Sequence, residues 1–387
     1  MKFLLYKNFD NKFIMDLING VEKSSNNDVY SKLVGKLVEE AETLELKGNI
    51  FKSYICYLIA TSENPFSLMA EKQGDNTETA LKDLVLQDID SIIRIFNMDI
   101  FNIEYKGKSN KSYDILYDAL QNDIDRKQFL NILIKYYSTY GCGQFCLYPA
   151  FKWNSQKGLV GISKCDPIKL ENLIGCEYQK DALTKNTENF LSGKQANNAL
   201  LFGDSGTGKS SMVKAILNEY YDKGLRIIEL SKADFSAFTE IVPMLTKRGL
   251  HFIIFLDDLS FEEFETEYKY MKALIEGGVE VKPQNVIIYA TSNRRHLIRE
   301  TWEERQGQDV NINDTRQEKL SLSDRFGLSL TFTSPLQNGY LEIVKSLAKE
   351  YRINLDENTL REKAIQWELS HGGRSGRVAK QFILSLL

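Results

Sequence analysis

Apolar residues recur at helical spacing through the first 165 positions of this chain and gather into short unbroken runs beyond them. Val29, Leu33, Leu37, Val38, Ala41 and Leu44 fall on one helical face, and Leu81, Leu84, Val85, Ile89, Ile92 and Ile93 on another. Asn64-Pro65 and the cluster Gly74-Asp75-Asn76 separate the two. Segment 141–158, rich in turn residues, reads as the connection into a second domain. After Pro167, runs at 199–202, 225–230, 252–257, 286–291 and 328–332 read as strands, and each gap holds a helix-length amphipathic stretch. That alternation predicts a parallel sheet covered by helices. Beyond Ser334-Pro335, stretches at 338–351, 356–369 and 375–386 predict a small helical cap. The expected division is a mainly helical part over 1–165, an α/β domain over 166–335 and a helical lid over 336–387.

Candidate chemistry sits at the ends of these strands. Gly203, Asp204, Ser205, Gly206, Thr207, Gly208, Lys209 and Ser210 follow the first apolar run and open a helix that continues through Ser211. Strand, glycine-rich turn and helix form the context of a phosphate-binding loop. There the backbone N–H groups and the helix N-terminus face an anion. Lys209 would reach the β- and γ-phosphates, and the Ser210 hydroxyl would ligate Mg2+. The third run, 252–256, is followed by Asp257 and Asp258. This is a Walker B arrangement, in which Asp257 would hold the metal and Asp258 would polarise an attacking water. The fourth run ends in Thr291-Ser292-Asn293.

These motifs, in this order, resemble those of the AAA+ ATPases, and the resemblance covers about residues 167–387. It implies a P-loop NTPase sheet with a helical lid and ATP bound with Mg2+. Asn293 matches the position that orients the lytic water in that family. Segment 322–327 resembles the part carrying the arginine finger, with Arg325 as the finger reaching into a neighbouring subunit's site. Segment 371–377 resembles the lid's second sensor, with Arg374 favoured over Arg377. Ile174 and Gly175, with Leu173, resemble the segment packed around adenine. Asp258 stands where most such ATPases have glutamate. Segments 257–278, 288–298, 318–328 and 372–382 look like one bacterial family of AAA+ ATPases catalogued as a domain of unknown function, with similarity extending through the helical N-terminal part. The implied assembly is a homo-oligomer, such as a hexameric ring, working on a protein partner through the N-terminal domain.

Composition narrows the setting. Forty-three per cent of residues are hydrophobic and 26% charged, as in an ordinary globular protein. With 49 basic against 53 acidic residues, nucleic acid is a less favoured partner. No apolar run is long enough for a membrane span. The five cysteines form an odd, sparse set, so a cytoplasmic protein without a disulfide framework is expected. Tyr136, Tyr137 and Tyr140 read as core rather than as a stacking platform. Phe235 reads as core or, as the alternative, a pore aromatic. Arg294-Arg295-His296 reads equally as a subunit contact or as a helix start.

Overall fold

The structure is a computed structural model and describes residues 2–23, 27–98, 103–106, 112–259, 283–293 and 325–387. The chain divides into two compact units. One comprises Met1–Pro149 with Asp222–Gly224 and Arg248–Leu250, and the other the remainder.

The first unit contains helices α1 (Lys12–Lys23), α2 (Asn27–Thr43), α3 (Ile50–Thr61), α4 (Pro65–Gln73), α5 (Thr79–Phe96), α6 (Asp114–Gln121) and α7 (Arg126–Tyr140). Strands β1 (Lys47–Asn49) and β2 (Glu104–Lys106) form an antiparallel ribbon. Local chemistry sets the boundaries. Asn64 caps α4 through a reciprocal bond with Ser67, and Pro65 occupies a first-turn position where its missing N–H costs nothing. Asp125 and Gln128 do the same for α7. Burial of Phe9, Phe51, Ile89, Leu133 and Tyr137 supplies the driving force. Tyr137 is buried and donates to the Ile59 carbonyl at 2.7 Å, while its oxygen lies 2.9 Å from that of Tyr6. Tyr136 is buried as well, so both are core residues.

The second unit holds β3 (Ala150–Asn154), β4 (Gly158–Ile162), α8 (Glu177–Leu191), β5 (Ala199–Gly203), α9 (Lys209–Tyr220), β6 (Leu225–Leu230), α10 (Phe238–Thr246), β7 (His251–Leu256), β8 (Val286–Ser292) and β9 (Leu328–Phe332). Its sheet runs β4-β3-β6-β7-β8-β5-β9 among the described residues. All pairings are parallel except β3 with β4. Strands β7 and β8 are mostly apolar and almost wholly buried because both faces of the sheet are covered there. Numbered by their own chain order, β5 to β9 lie as 5-1-4-3-2. Helices α11 (Gln337–Glu350), α12 (Glu357–Ser370) and α13 (Gly376–Leu384) pack on Tyr340, Val344, Ala364 and Phe382 as a separate small core.

One expectation is corrected. Within the connection expected at 141–158, residues from 150 onward belong instead to a β-hairpin (150–162) on the sheet edge, and the unit boundary falls at Pro149 rather than near 165. Asn154 accepts from the N–H groups of Gln156 and Lys157, and Gly158 takes φ +73° to turn the chain. The alternation of Phe151 and Trp153 with Lys152 and Asn154 is strand-like, but it is short and framed by turn residues. Phe235 is buried, its ring 5.6 Å from that of Phe238, which makes it a core residue.

Candidate functional site

The strand order brings the candidate residues to one edge of the sheet. Strand β8 lies between β5 and β7, in register Phe202↔Ser292 and Leu256↔Ala290. The phosphate loop after β5, the acids after β7 and the polar end of β8 are therefore neighbours. This is the carboxyl edge of a parallel sheet, where α/β folds place their ligands.

The loop is shaped by its surroundings. Gly203 takes φ +133°, and a Cβ there would run into the Phe332 carbonyl on β9. Gly206 takes φ +77°, and a Cβ there would lie 2.9 Å from Ser375 Oγ and 3.0 Å from Arg377 Cβ. Asp204 donates its N–H to the Phe332 carbonyl at 2.9 Å and accepts from the Ser334 N–H at 2.7 Å. That second bond is the main reason its carboxyl titrates below the usual carboxylate range. Ser205 is exposed at the turn, Thr207 donates to the Asp204 carbonyl at 2.8 Å, and Ser211 lies in the first turn of α9.

Lys209 is buried, and its ammonium donates to the carbonyls of Gly203 at 2.9 Å and Asp204 at 2.6 Å. Burial pulls its pKa down, and the positive charge of Arg377 adds to the effect. Asp204, Asp258 and Asp257 act in the opposite direction. Among the described residues the ammonium is held by these carbonyls alone, which fits a role in which an anion would improve its environment.

Asp257 and Asp258 are exposed, and their carboxylates are already oriented. Ser210 donates to Asp257 Oδ1 at 2.6 Å, and Thr291 donates to the same oxygen at 2.6 Å. The Asp258 N–H donates to Thr291 Oγ1 at 2.9 Å, and Asn293 Nδ2 donates to Asp258 Oδ1 at 2.7 Å. Asp258 has φ +52°, an uncommon conformation for a residue with a side chain. A hydroxyl and a carboxylate juxtaposed beside a lysine match the oxygen donors that Mg2+ takes, so the residues fit that metal. Thr291 was not among the expected residues. Its sequence signal is only a polar residue ending an apolar strand.

The remaining candidates divide. Leu173 is buried, and a Cβ on Gly208 would meet its Cδ2 at 3.7 Å. Ile174 is half-buried and Gly175 exposed, with φ +78°. Arg374 does not join the loop, because its Nε donates to the buried Glu368 at 2.9 Å inside the lid. Arg377 does, since its N–H donates to the Gly206 carbonyl at 3.3 Å and its charge reaches Lys209. Arg325 stands at the turn before β9, beyond the end that pairs with Ala199. It is thus at the opposite edge of the sheet from its own loop. Asp324 and Arg294-Arg295-His296 lie outside the described residues.

The sheet order, the loop-to-helix turn and the helical lid define a P-loop NTPase fold of the AAA+ type. The chain belongs to the family described as "Protein of unknown function (DUF815)", whose model matches residues 147–387. The match starts at the boundary between the units and does not reach the helical N-terminal part. The chain is 37% identical over 75 residues to the replication factor C large subunit of Staphylothermus marinus, covering 19% of this chain and 17% of that protein. It is 36% identical over 73 residues to the Methanococcus vannielii counterpart, covering 19% and 14%. The chain thus spans less than a fifth of either relative. Among solved structures, the Thermotoga maritima RuvB Holliday junction branch migration motor is 17% identical, with 56% of this chain and 63% of that chain covered and a TM-score of 0.38. The Aeropyrum pernix Orc1 protein in complex with DNA is 16% identical, with 55% and 59% covered and a TM-score of 0.41. Among the described residues, no helix is long and apolar enough to cross a membrane.

Proposed function

We propose that this protein is a Mg2+-dependent ATPase that uses ATP held at a subunit interface to move a partner. The observation that carries this reading is the set of bonds joining Ser210, Asp257, Thr291, Asp258 and Asn293 beside Lys209. Lys209 exchanges its two carbonyl partners for the β- and γ-phosphates, and the loop N–H groups take the remaining oxygens. Ser210 and Asp257 would hold Mg2+, which when bound would supply positive charge beside the phosphates. Asp258 accepts the proton of the attacking water, and Asn293 orients that water and the carboxylate. Leu173, Ile174 and Gly175 flank adenine. Arg377, on the helix that touches the loop, is the better lid sensor, with Arg374 holding the lid through Glu368. Arg325 at the far edge of the sheet is suited to a neighbouring subunit's site and not its own, which supports a homo-oligomer such as a hexameric ring. Residues 1–149 are the part that engages a protein partner, in the cytoplasm.

Turnover and Mg2+-dependent nucleotide binding test the reading. Lys209→Ala should abolish binding, and Asp258→Asn should keep binding while slowing hydrolysis by about 10²–10⁴. Wild-type protein that binds no nucleotide would sink the proposal. A second reading, a slow ATP-dependent binding switch, is favoured by the Asn293 bond that already occupies Asp258 Oδ1 at 2.7 Å. It predicts ATP-dependent assembly with turnover indifferent to Asp258→Asn. Nucleic acid remains a less favoured partner, to be tested by salt-sensitive DNA stimulation of turnover.

A further inference from the structure

Thr291 sits next to last in β8, its side chain withdrawn from solvent. It meets three successive residues after β7. Its hydroxyl donates to Asp257 Oδ1 at 2.6 Å and accepts the Asp258 N–H at 2.9 Å, while its carbonyl accepts the Leu259 N–H at 2.7 Å. Two consequences follow from the hydroxyl alone. Asp257 Oδ1 receives two protein hydroxyls, from Ser210 and Thr291. Oδ2 receives no protein donor among the described residues, so the carboxylate has one anchored and one open oxygen. Asp258, meanwhile, holds φ +52°, a conformation that persists only where its surroundings fix it. The Thr291 oxygen on its N–H is such a constraint.

We propose that Thr291 is a positioning residue, whose single hydroxyl sets the orientation of both Asp257 and Asp258 for the metal-dependent reaction. The proposal rests on the reading given under the proposed function. A threonine present only because β-branched residues suit strands would tolerate valine fully. A threonine acting through its hydroxyl would tolerate serine and not valine.

Three proteins decide it: wild type, Thr291→Val and Thr291→Ser, with thermal melts as a check on folding. In nucleotide-free protein, amide exchange over residues 257–259 should be at least about tenfold faster in Thr291→Val and close to wild type in Thr291→Ser. In turnover, Thr291→Val should lower kcat roughly 10- to 100-fold and raise the Mg2+ concentration needed, the scale on which partners of a metal ligand act. Nucleotide affinity in EDTA should not change. Thr291→Ser should restore both properties. Wild-type behaviour of Thr291→Val, or equal impairment of Thr291→Ser, overturns the proposal. If Thr291→Val does not fold, Thr291→Ala against Thr291→Ser gives the same contrast. If wild-type protein binds no nucleotide, the proposed ATPase reading and the reaction role fail together. The exchange arm still decides whether Thr291 holds Asp258.

Discussion

In the N-terminal unit, the fully buried Glu71 carboxylate accepts from Arg248 Nε at 2.8 Å and Nη2 at 2.6 Å, from the Gly249 N–H at 2.9 Å and from the Cys142 N–H at 3.1 Å. At the strand ends of the other unit, Asp257 is exposed, with one oxygen anchored by two hydroxyls and the other meeting no protein donor among the described residues. Both clusters combine acids, a cation and short hydrogen bonds. In the first, every oxygen of the acid is met by protein and Arg248 also lies 4.7 Å from the Phe145 ring, so nothing is left to bind. In the second, among the described residues, one carboxylate oxygen receives no protein donor and Lys209 is held by carbonyls alone. Saturation, more than charge or proximity, separates a structural polar cluster from a candidate site.

The largest effect is expected at Arg325, the proposed donor of charge to a neighbour's open site. Arg325→Ala should lower turnover by about 10³–10⁵, and mixing it with Lys209→Ala subunits should recover part of the activity. Turnover that is unchanged and independent of protein concentration would remove the shared site. Next comes the saturated cluster. Glu71→Ala strands the buried Arg248 charge and should destabilise its unit by about 3–5 kcal/mol in denaturant melts. Asp257→Ala, at an exposed carboxylate, should shift stability by no more than about 0.5 kcal/mol. Similar losses from both would erase the distinction.

The smallest effect concerns His251, at the start of β7. Burial holds its pKa below the ordinary value, its ring standing edge-on to Phe190 at 5.0 Å. The fold therefore prefers neutral imidazole, and the unfolded chain takes up the proton first as pH falls below about 6.5. Stability should be flat above that pH, decline below it and level off beneath the folded value. His251→Phe should flatten the decline; an unaltered acid limb in its melts would contradict the assignment.

Much of this was readable along the chain, for identifiable reasons. Strands β5, β7 and β8 are apolar over most of their length, and the loop needs glycines in a fixed order before a helix. Asp257 and Asn293 follow directly from strand ends. Other features left weaker marks. The hairpin at 150–162 is short and bounded by turn residues, so its alternation looked like a linker. Arg374 and Arg377 differ by one helical turn, and they are distinguished by the Glu368 carboxylate, which takes the former, and the Gly206 carbonyl, which meets the latter. Thr291 looked like one more β-branched strand residue.

Sequence by itself determined the local pieces: which runs are strands, where the phosphate loop opens its helix, and which acids end a buried strand. These depend on neighbours within a few residues, through turn chemistry and apolar periodicity. Only the tertiary structure decided that β8 lies between β5 and β7, so that a threonine at 291 reaches acids at 257 and 258. It also decided that Arg325, just before β9, stands at the end of the sheet opposite to its own loop. Those relations are set by strand order and register, which the chain fixes only when long-range burial selects one arrangement of the sheet.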